Sequence, residues 1–350
     1  MKLFTEVILL VFIHLCFSCT IHNDPDPPFL TEYLQSEGFF IVNEGNFMSG
    51  NGSISFWSKD SLKIYNDLFA KANARPLGDV PNSVTIIGER LFIVVNNSGK
   101  IEVVESNTMK SAGSITGLVS PRYILLINKN KAYVSSLFST RIIVINPETL
   151  SITGHIETGR TSEAMVLHGD SAFIACWSGG NHLTVINTLT DLVVDSVRTG
   201  HEPESMAVDN QGRLWVLCSG KYTGEYFPEL LAVNTSSLQI EKRFTFRSKQ
   251  VYPSCLRING TGDTLYYIER SIWRMPVSTD ELPSLPFMKA SGRLFYRIGV
   301  DPLDGRLYAT NAIDYQQKGY LIFINMNGIA TDSVKAGIIP GNICFKDSGR

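Results

Sequence analysis

One unit recurs seven times along the chain, and its spacing leaves few folds open. Each copy reads as a proline or polar start, a short apolar strand, a Gly/Asp/Asn turn and a second strand. A variable polar loop, an Ile/Val-rich strand ending in Asn and a closing strand complete it. The equivalent starts are Pro81, Pro121, Ser162, Pro203, Pro253, Phe295 and Pro340, at successive intervals of 40, 41, 41, 50, 42 and 45 residues. This is the blade period of a β-propeller and is too long for leucine-rich or ankyrin units.

The two termini complete each other. Pro340-Gly-Asn-Ile-Cys-Phe-Lys-Asp-Ser-Gly-Arg350 repeats the opening strand and turn of Pro203-Glu-Ser-Met-Ala-Val-Asp-Asn-Gln-Gly-Arg213 and then stops. Its missing continuation stands at the other end, where Gly38-Phe-Phe-Ile-Val-Asn43 matches the strand that begins Arg213-Leu-Trp-Val-Leu. Pairing them makes a seventh blade from both ends and leaves no long sheet edge at the seam. The expectation is an all-β, seven-bladed propeller with four antiparallel strands per blade, spanning 38–350.

Local chemistry agrees. Segments 142–146, 184–187, 231–234 and 322–325 are β-branched or apolar runs that end in Asn, as strands before turns do. Asp209-Asn-Gln-Gly212, Gly260-Thr-Gly-Asp263 and Asp301-Pro-Leu-Asp-Gly305 are Asx/Gly turns joining the first two strands of a blade. No ten-residue helical stripe interrupts them. Repeats of this kind fuse into one body, so the length counts as a single domain. With 44% apolar and 18% charged residues the chain can bury a large core, and its net charge of −2 offers no attraction to nucleic acid or an anionic membrane.

The first nineteen residues read as an address. Lys2 precedes an apolar run over 7–15, the length of a secretory h-region and too short to span a bilayer. Cys16-Phe-Ser-Cys19 then resembles a bacterial lipoprotein box, with Cys19 as the residue to be cut before and acylated; the alternative is a plain signal peptide with an incidental cysteine. Residues 20–37 carry Asp24-Pro-Asp-Pro-Pro28 and no periodic apolar face, which predicts an extended tether. Acidic residues soon after a lipidated Cys resemble the surface-export signal of Bacteroides-type lipoproteins, implying a lipid-anchored protein exposed on the outer membrane.

The remaining cysteines, at 176, 218, 255 and 344, form no C-x-x-C pair, so no metal site is expected. Cys176 and Cys218 occupy near-equivalent positions of adjacent blades, which permits a disulfide; buried free thiols are the other reading.

Topology locates the functional face. In a four-stranded antiparallel blade, the loop between strands two and three and the link to the next blade emerge on one side of the disc. That side receives 43–50 (with Asn43, Glu44, Asn46 and Phe47), 96–99 (Asn97), 136–139 (Phe138), 177–182 (Trp177, His182), 219–227 (Lys221, Tyr222, Tyr226), Arg270 and 311–315 (Tyr315). Trp177 to Asn187 is ten positions and Cys218 to Asn234 is sixteen, so the long unit that starts at Pro203 places six extra residues in this one loop. Tyr-rich, Gly-spaced loops suit recognition, although surface drift is also tolerated there. Strand-entry residues Asn82, Arg122, Glu163, Glu204, Ser254 and Tyr296 ring the central funnel on the same face. They either satisfy one another and trapped water or meet a ligand.

Catalysis draws little support. His201-Glu202 has the composition of a base with its carboxylate, as in streptogramin-lyase-type propellers, but neighbours in an extended chain point apart. There is no G-x-S-x-G elbow, phosphate loop or EF-hand run. No catalytic residue and no cofactor are expected.

Ile145-Asn-Pro-Glu-Thr-Leu-Ser-Ile-Thr-Gly-His-Ile-Glu-Thr-Gly159 and the equivalent 187–200 segment resemble the YVTN-type repeat of the YncE-like propellers, a likeness that covers 38–350. More narrowly, Phe40-Ile-Val-Asn-Glu-Gly-Asn-Phe47 followed by Gly50-Asn-Gly-Ser-Ile-Ser-Phe56, behind a lipoprotein-like leader, is similar to the surface cobalamin-binding propeller lipoproteins of Bacteroides. That resemblance implies capture of cobalamin or a related corrinoid outside the cell and delivery to a TonB-dependent outer-membrane transporter. Cobalamin would be ligand rather than cofactor. Phe47, Phe138, Trp177, Tyr222 and Tyr315 would contact the corrin disc, and Asn43, Asn97, Arg122 and Glu204 its amides, with His182 a candidate for cobalt. Two other readings stay open: a scaffold for a protein or glycan, and a lyase centred on His201 and Glu202.

Overall fold

The computed structural model describes residues 32–346. The expected leader, the candidate lipidation residue Cys19 and the turn expected at 347–350 lie outside them. The described chain forms seven small antiparallel sheets, the blades of a β-propeller. The first blade combines Pro340–Lys346 with Gly38–Asn43, Ser53–Ser58 and Lys63–Tyr65; the next six follow at 81–115, 121–157, 165–198, 203–245, 254–276 and 295–338.

Both ends meet as their sequences anticipate. Gly38 pairs with Lys346, Phe40 with Cys344 and Ile41 with Ile343, so the innermost strand of the first blade comes from the C-terminus. The Phe39 ring lies 5.2 Å from that of Phe345 and 4.6 Å from that of Tyr308 in the seventh blade. A closed ring of sheets removes the open seam that an unpaired strand would expose.

The strands alternate in burial by their place in the blade. Arg213–Cys218, a second strand, is buried from Leu214 to Cys218 on both faces because blades stack against it from each side, which explains its continuous apolar run. Leu192–Arg198, an outer strand, is mostly exposed. The apolar core therefore lies in the seams between blades. Trp215, Leu217, Leu230 and Phe244 of the fifth blade pack on Leu256, Leu265 and Tyr267 of the sixth. Phe39, Ile41, Trp57 and Ile343 pack on Tyr308 and Leu321 at the closure. Each buried side chain of this size stabilises the fold by about 1.5–3 kcal/mol.

A backbone device repeats at the blade entries. Val80, Ser120, Glu202 and Ile339, each just before the blade-opening proline, are left-handed with φ between 41° and 55°. Their carbonyls accept the N–H groups of Asn96, Leu137, Ser219 and Glu44 at 2.8–3.0 Å. Each bond ties the end of an inter-blade link to the start of the loop after the second strand. These two kinds of segment consequently share one face of the disc.

Three details differ from the sequence reading. The 20–37 stretch is not an extended tether to its end: Glu32–Gln35 is a turn of 3-10 helix, Leu34 is buried, Tyr33 stacks on Tyr65 at 3.5 Å and Ser36 Oγ lies 2.8 Å from Ser58 Oγ. In the fourth blade the regular first strand is Met165–His168 rather than starting at Ser162, although Glu163 N still donates to the Ala175 carbonyl. In the sixth blade the outer strand shrinks to a single bridge, Ile272 with Met288. Pro283 and Pro286 lie in the segment that would have formed it, and proline lacks the N–H that a ladder requires.

Candidate functional site

The entry residues of the innermost strands meet around the axial funnel, and most are engaged with protein. Arg122 and Glu163, from the third and fourth blades, form a two-pronged ion pair with Nη2 to Oε1 at 2.7 Å and Nε to Oε2 at 2.8 Å. Asn82 donates to the Arg122 carbonyl at 2.7 Å. Glu204 Oε2 accepts the Cys255 N–H at 2.8 Å. The Tyr296 hydroxyl donates to Glu44 at 2.8 Å, and the Arg297 guanidinium lies over the Tyr296 ring, 4.4 Å from its centroid. Such mutual satisfaction is what buried polar groups require, and it makes this ring a rigid floor.

Burial raises the Glu44 carboxyl above its ordinary range, opposed by Arg297, the Tyr296 hydroxyl and Arg122. Burial opposes the charge on Arg122, yet Glu163 beside it holds the guanidinium firmly protonated. Burial also lifts the Tyr123 phenol to about 12, so it is a neutral hydroxyl in the channel wall.

Above this floor, on the loop face, a cavity of about 580 Å³ opens across the fourth to seventh blades. It brings together Trp177, Glu204, Ser254, Arg270, Tyr296 and Tyr315 from the sequence reading. Its size is that of a ligand pocket, and its wall mixes aromatic rings with a few polar heads. The Trp177 indole nitrogen is buried beside Tyr252 and has no hydrogen-bond partner of ordinary geometry among the described residues. Tyr252, alongside, donates its hydroxyl to Glu202 at 2.9 Å, and burial pushes its phenol up to about 12. Tyr296 and Tyr315 meet edge to face with centroids 5.7 Å apart.

Tyr252, Arg293 and Arg297 also line the cavity and escaped the sequence reading. Tyr252 precedes Pro253 as Glu202 precedes Pro203, a positional signal available in the repeats. Arg297 follows Tyr296, and the inward turn of both neighbours comes from the irregular register between Phe295 and Ile298. An ideal two-residue alternation hides this.

Other predicted site residues lie elsewhere. Asn43 is buried, with its amide bonded to Ser53, Ser55 and the Gly337 N–H, so it has no group left for a ligand. Asn46 donates to the Tyr315 carbonyl at 2.8 Å and Asn97 to Asp79, which orders two loops of the face. Lys221 pairs with Glu225 at 2.7 Å, and Tyr226 stacks on His201 at 3.3 Å. Phe47, Phe138 and Tyr222 stand outside the cavity, 68%, 73% and 86% exposed.

His201 and Glu202 do not form a dyad: the imidazole stacks on Tyr226 while the carboxylate accepts from Tyr252. Partial burial and the nearby Arg198 lower the His201 pKa, and partial burial with Arg160 does the same for His182. Among the described residues no group of three His, Cys, Asp or Glu is placed to hold a metal ion. Among the described residues Cys176, Cys218 and Cys255 are free thiols, so the disulfide permitted between the first two is not formed.

Residues 37–335 match the model of a family described as a domain of unknown function, DUF5074. No curated protein matches the chain. Among solved structures, a quinoprotein alcohol dehydrogenase-like protein from Bacteroides thetaiotaomicron aligns with a TM-score of 0.69 at 14% identity, over 89% of this chain and 78% of that one. The Cps50 (Swd1) β-propeller domain of Myceliophteria thermophila aligns with a TM-score of 0.61 at 13% identity, over 79% and 94% of the two chains. The dihydro-heme d1 dehydrogenase NirN, in complex with DHE, gives 0.58 at 10% identity, over 91% and 76%. At these identities the likeness is one of fold.

Proposed function

The chain belongs to the DUF5074 family, and from that premise we propose that it is a capture protein of the bacterial outer membrane. It is anchored through a lipidated Cys19, holds cobalamin or a related corrinoid on its loop face and passes it to a TonB-dependent transporter. The observation that carries this reading is the cavity of about 580 Å³ lined by Trp177, Tyr252, Tyr296 and Tyr315 together with Glu204, Arg270 and Arg297. A corrinoid is a broad amphiphilic disc bearing amides at its edge. Aromatic walls give it apolar contact, and the polar heads match its rim. The floor is held by ion pairs and hydrogen bonds before any ligand arrives, which limits the ordering cost of binding. In this reading the corrinoid is cargo, and the protein needs no cofactor of its own.

A second reading, a scaffold that docks a protein or glycan, draws on Phe47, Phe138 and Tyr222, which stand exposed on the same face outside the cavity. Under capture and delivery these rings serve as the transporter contact. Calorimetric titration of the fragment beginning at Glu32 with cyanocobalamin separates the two. Capture requires saturable binding that weakens at least tenfold, about 1.4 kcal/mol, in Trp177→Ala. Absence of heat and of any change in the corrin absorption bands would move the search to glycans and proteins.

A further inference from the structure

Arg270 is the entire loop between the second and third strands of the sixth blade, because Glu269 and Ser271 on either side already pair with each other. Its backbone is left-handed, with φ of 52°, a conformation that glycine adopts freely and a side chain resists. The chain nevertheless carries an arginine there, and its side chain lines the loop-face cavity. Every other blade raises a longer loop at this position, so the short sixth one leaves the cavity open on that side.

The charge of the wall is unbalanced. Three arginines, Arg270, Arg293 and Arg297, face it against one carboxylate, Glu204. Glu204 already accepts the Cys255 N–H. None of the three guanidinium groups forms a salt bridge among the described residues. By contrast, Arg122 at the funnel pairs with Glu163, and Arg213 of the fifth blade pairs with Asp209. Positive charge gathered in a concave, partly desolvated site where arginines outnumber carboxylates attracts an anion, and the planar guanidinium suits phosphate and carboxylate oxygens.

We infer that this cavity recognises an anionic group on its ligand, a phosphate or carboxylate, through Arg270 and Arg293 at the mouth, while Trp177, Tyr252 and Tyr315 cover the apolar body beside it. The inference rests on the capture reading for the identity of that body, and cobalamin satisfies it through its single phosphodiester. The arginines supply the hydrogen-bonding fork and the Coulomb attraction, with Arg297 below them keeping the site positive. No bond is made or broken.

The test uses the soluble chain, its Arg270→Gln/Arg293→Gln variant and Arg270→Gly. Cyanocobalamin and dicyanocobinamide, which lacks the phosphodiester, are titrated into each. The expected result is a preference of at least tenfold for cyanocobalamin in the parent, lost in the double variant. Arg270→Gly should bind cyanocobalamin less well while melting no lower than the parent, which separates lost charge from lost fold. Equal affinity for the two corrinoids overturns the anion site and leaves corrinoid capture standing. If neither corrinoid binds, the capture reading fails, and flavin mononucleotide against riboflavin then tests the anion site alone. Salt-sensitive binding of the phosphorylated flavin, lost in the double variant, supports it; equal or absent binding of the two flavins overturns it.

Discussion

The Glu44 carboxyl accepts the Tyr296 hydroxyl at 2.8 Å across 252 positions of sequence, joining the first and seventh blades at the funnel floor. Burial raises this carboxyl, so its neutral form is the one the fold prefers. Stability from that preference is complete below the ordinary carboxylate value of about 4.3 and is lost as pH rises through the raised folded value. Glu44→Gln keeps a neutral acceptor at every pH. Thermal melts from pH 4 to 8 should therefore fall with rising pH more steeply in the parent than in the variant. Parallel curves would remove Glu44 as the cause.

Arg122 and Glu163 predict a non-additive pair. Removing the carboxylate in Glu163→Ala leaves a largely buried guanidinium unpaired and should cost about 3–5 kcal/mol, while removing both partners costs less than the sum of the single changes. Urea denaturation of the two single variants and the double one measures this. A loss below about 1 kcal/mol in Glu163→Ala would mean that water in the funnel replaces the partner.

Closure of the ring predicts a steep penalty for truncation. Deleting 340–350 takes away the strand that pairs with Gly38–Asn43 and uncovers Phe39 and Ile41. The melting temperature by circular dichroism should drop sharply and the transition should broaden. An unchanged melt would contradict closure by the termini.

The free thiols give a chemical prediction. Burial pushes the Cys218 thiol up to about 12 and raises that of Cys176, and a protonated, covered thiol is a poor nucleophile. Iodoacetamide should modify neither in the native protein and both in guanidinium chloride, as read by peptide mass spectrometry. Native alkylation at Cys218 would show that the fifth blade opens readily.

Much of the architecture is written in the repeats, since each blade has to present the same apolar faces to its neighbours. The starts at Pro81, Pro121, Pro203, Phe295 and Pro340 coincide with the first residues of observed strands. The sixth blade departs where Pro283 and Pro286 override the pattern, and Glu32–Gln35 packs where prolines and the lack of a periodic apolar face suggested an extended chain. The candidate site was legible more by face than by residue. Topology placed Trp177, Arg270 and Tyr315 on loops that line the cavity, yet whether a polar group meets solvent or a neighbour depends on contacts distant in sequence. Asn43 is closed off by Gly337, and Arg297 turns inward through a register irregularity. Neither is visible in a run of letters.

The central claim is that ligand lies in the cavity between the fourth and seventh blades. Hydrogen exchange of the soluble chain, with and without saturating cyanocobalamin, tests it most directly. The account predicts protection concentrated at 177–182, around Tyr252, and at 290–297 and 311–315, with the hairpin turns at 209–212 and 301–305 unchanged. Protection confined to the hairpin face, or no protection at a concentration that saturates binding, would contradict it.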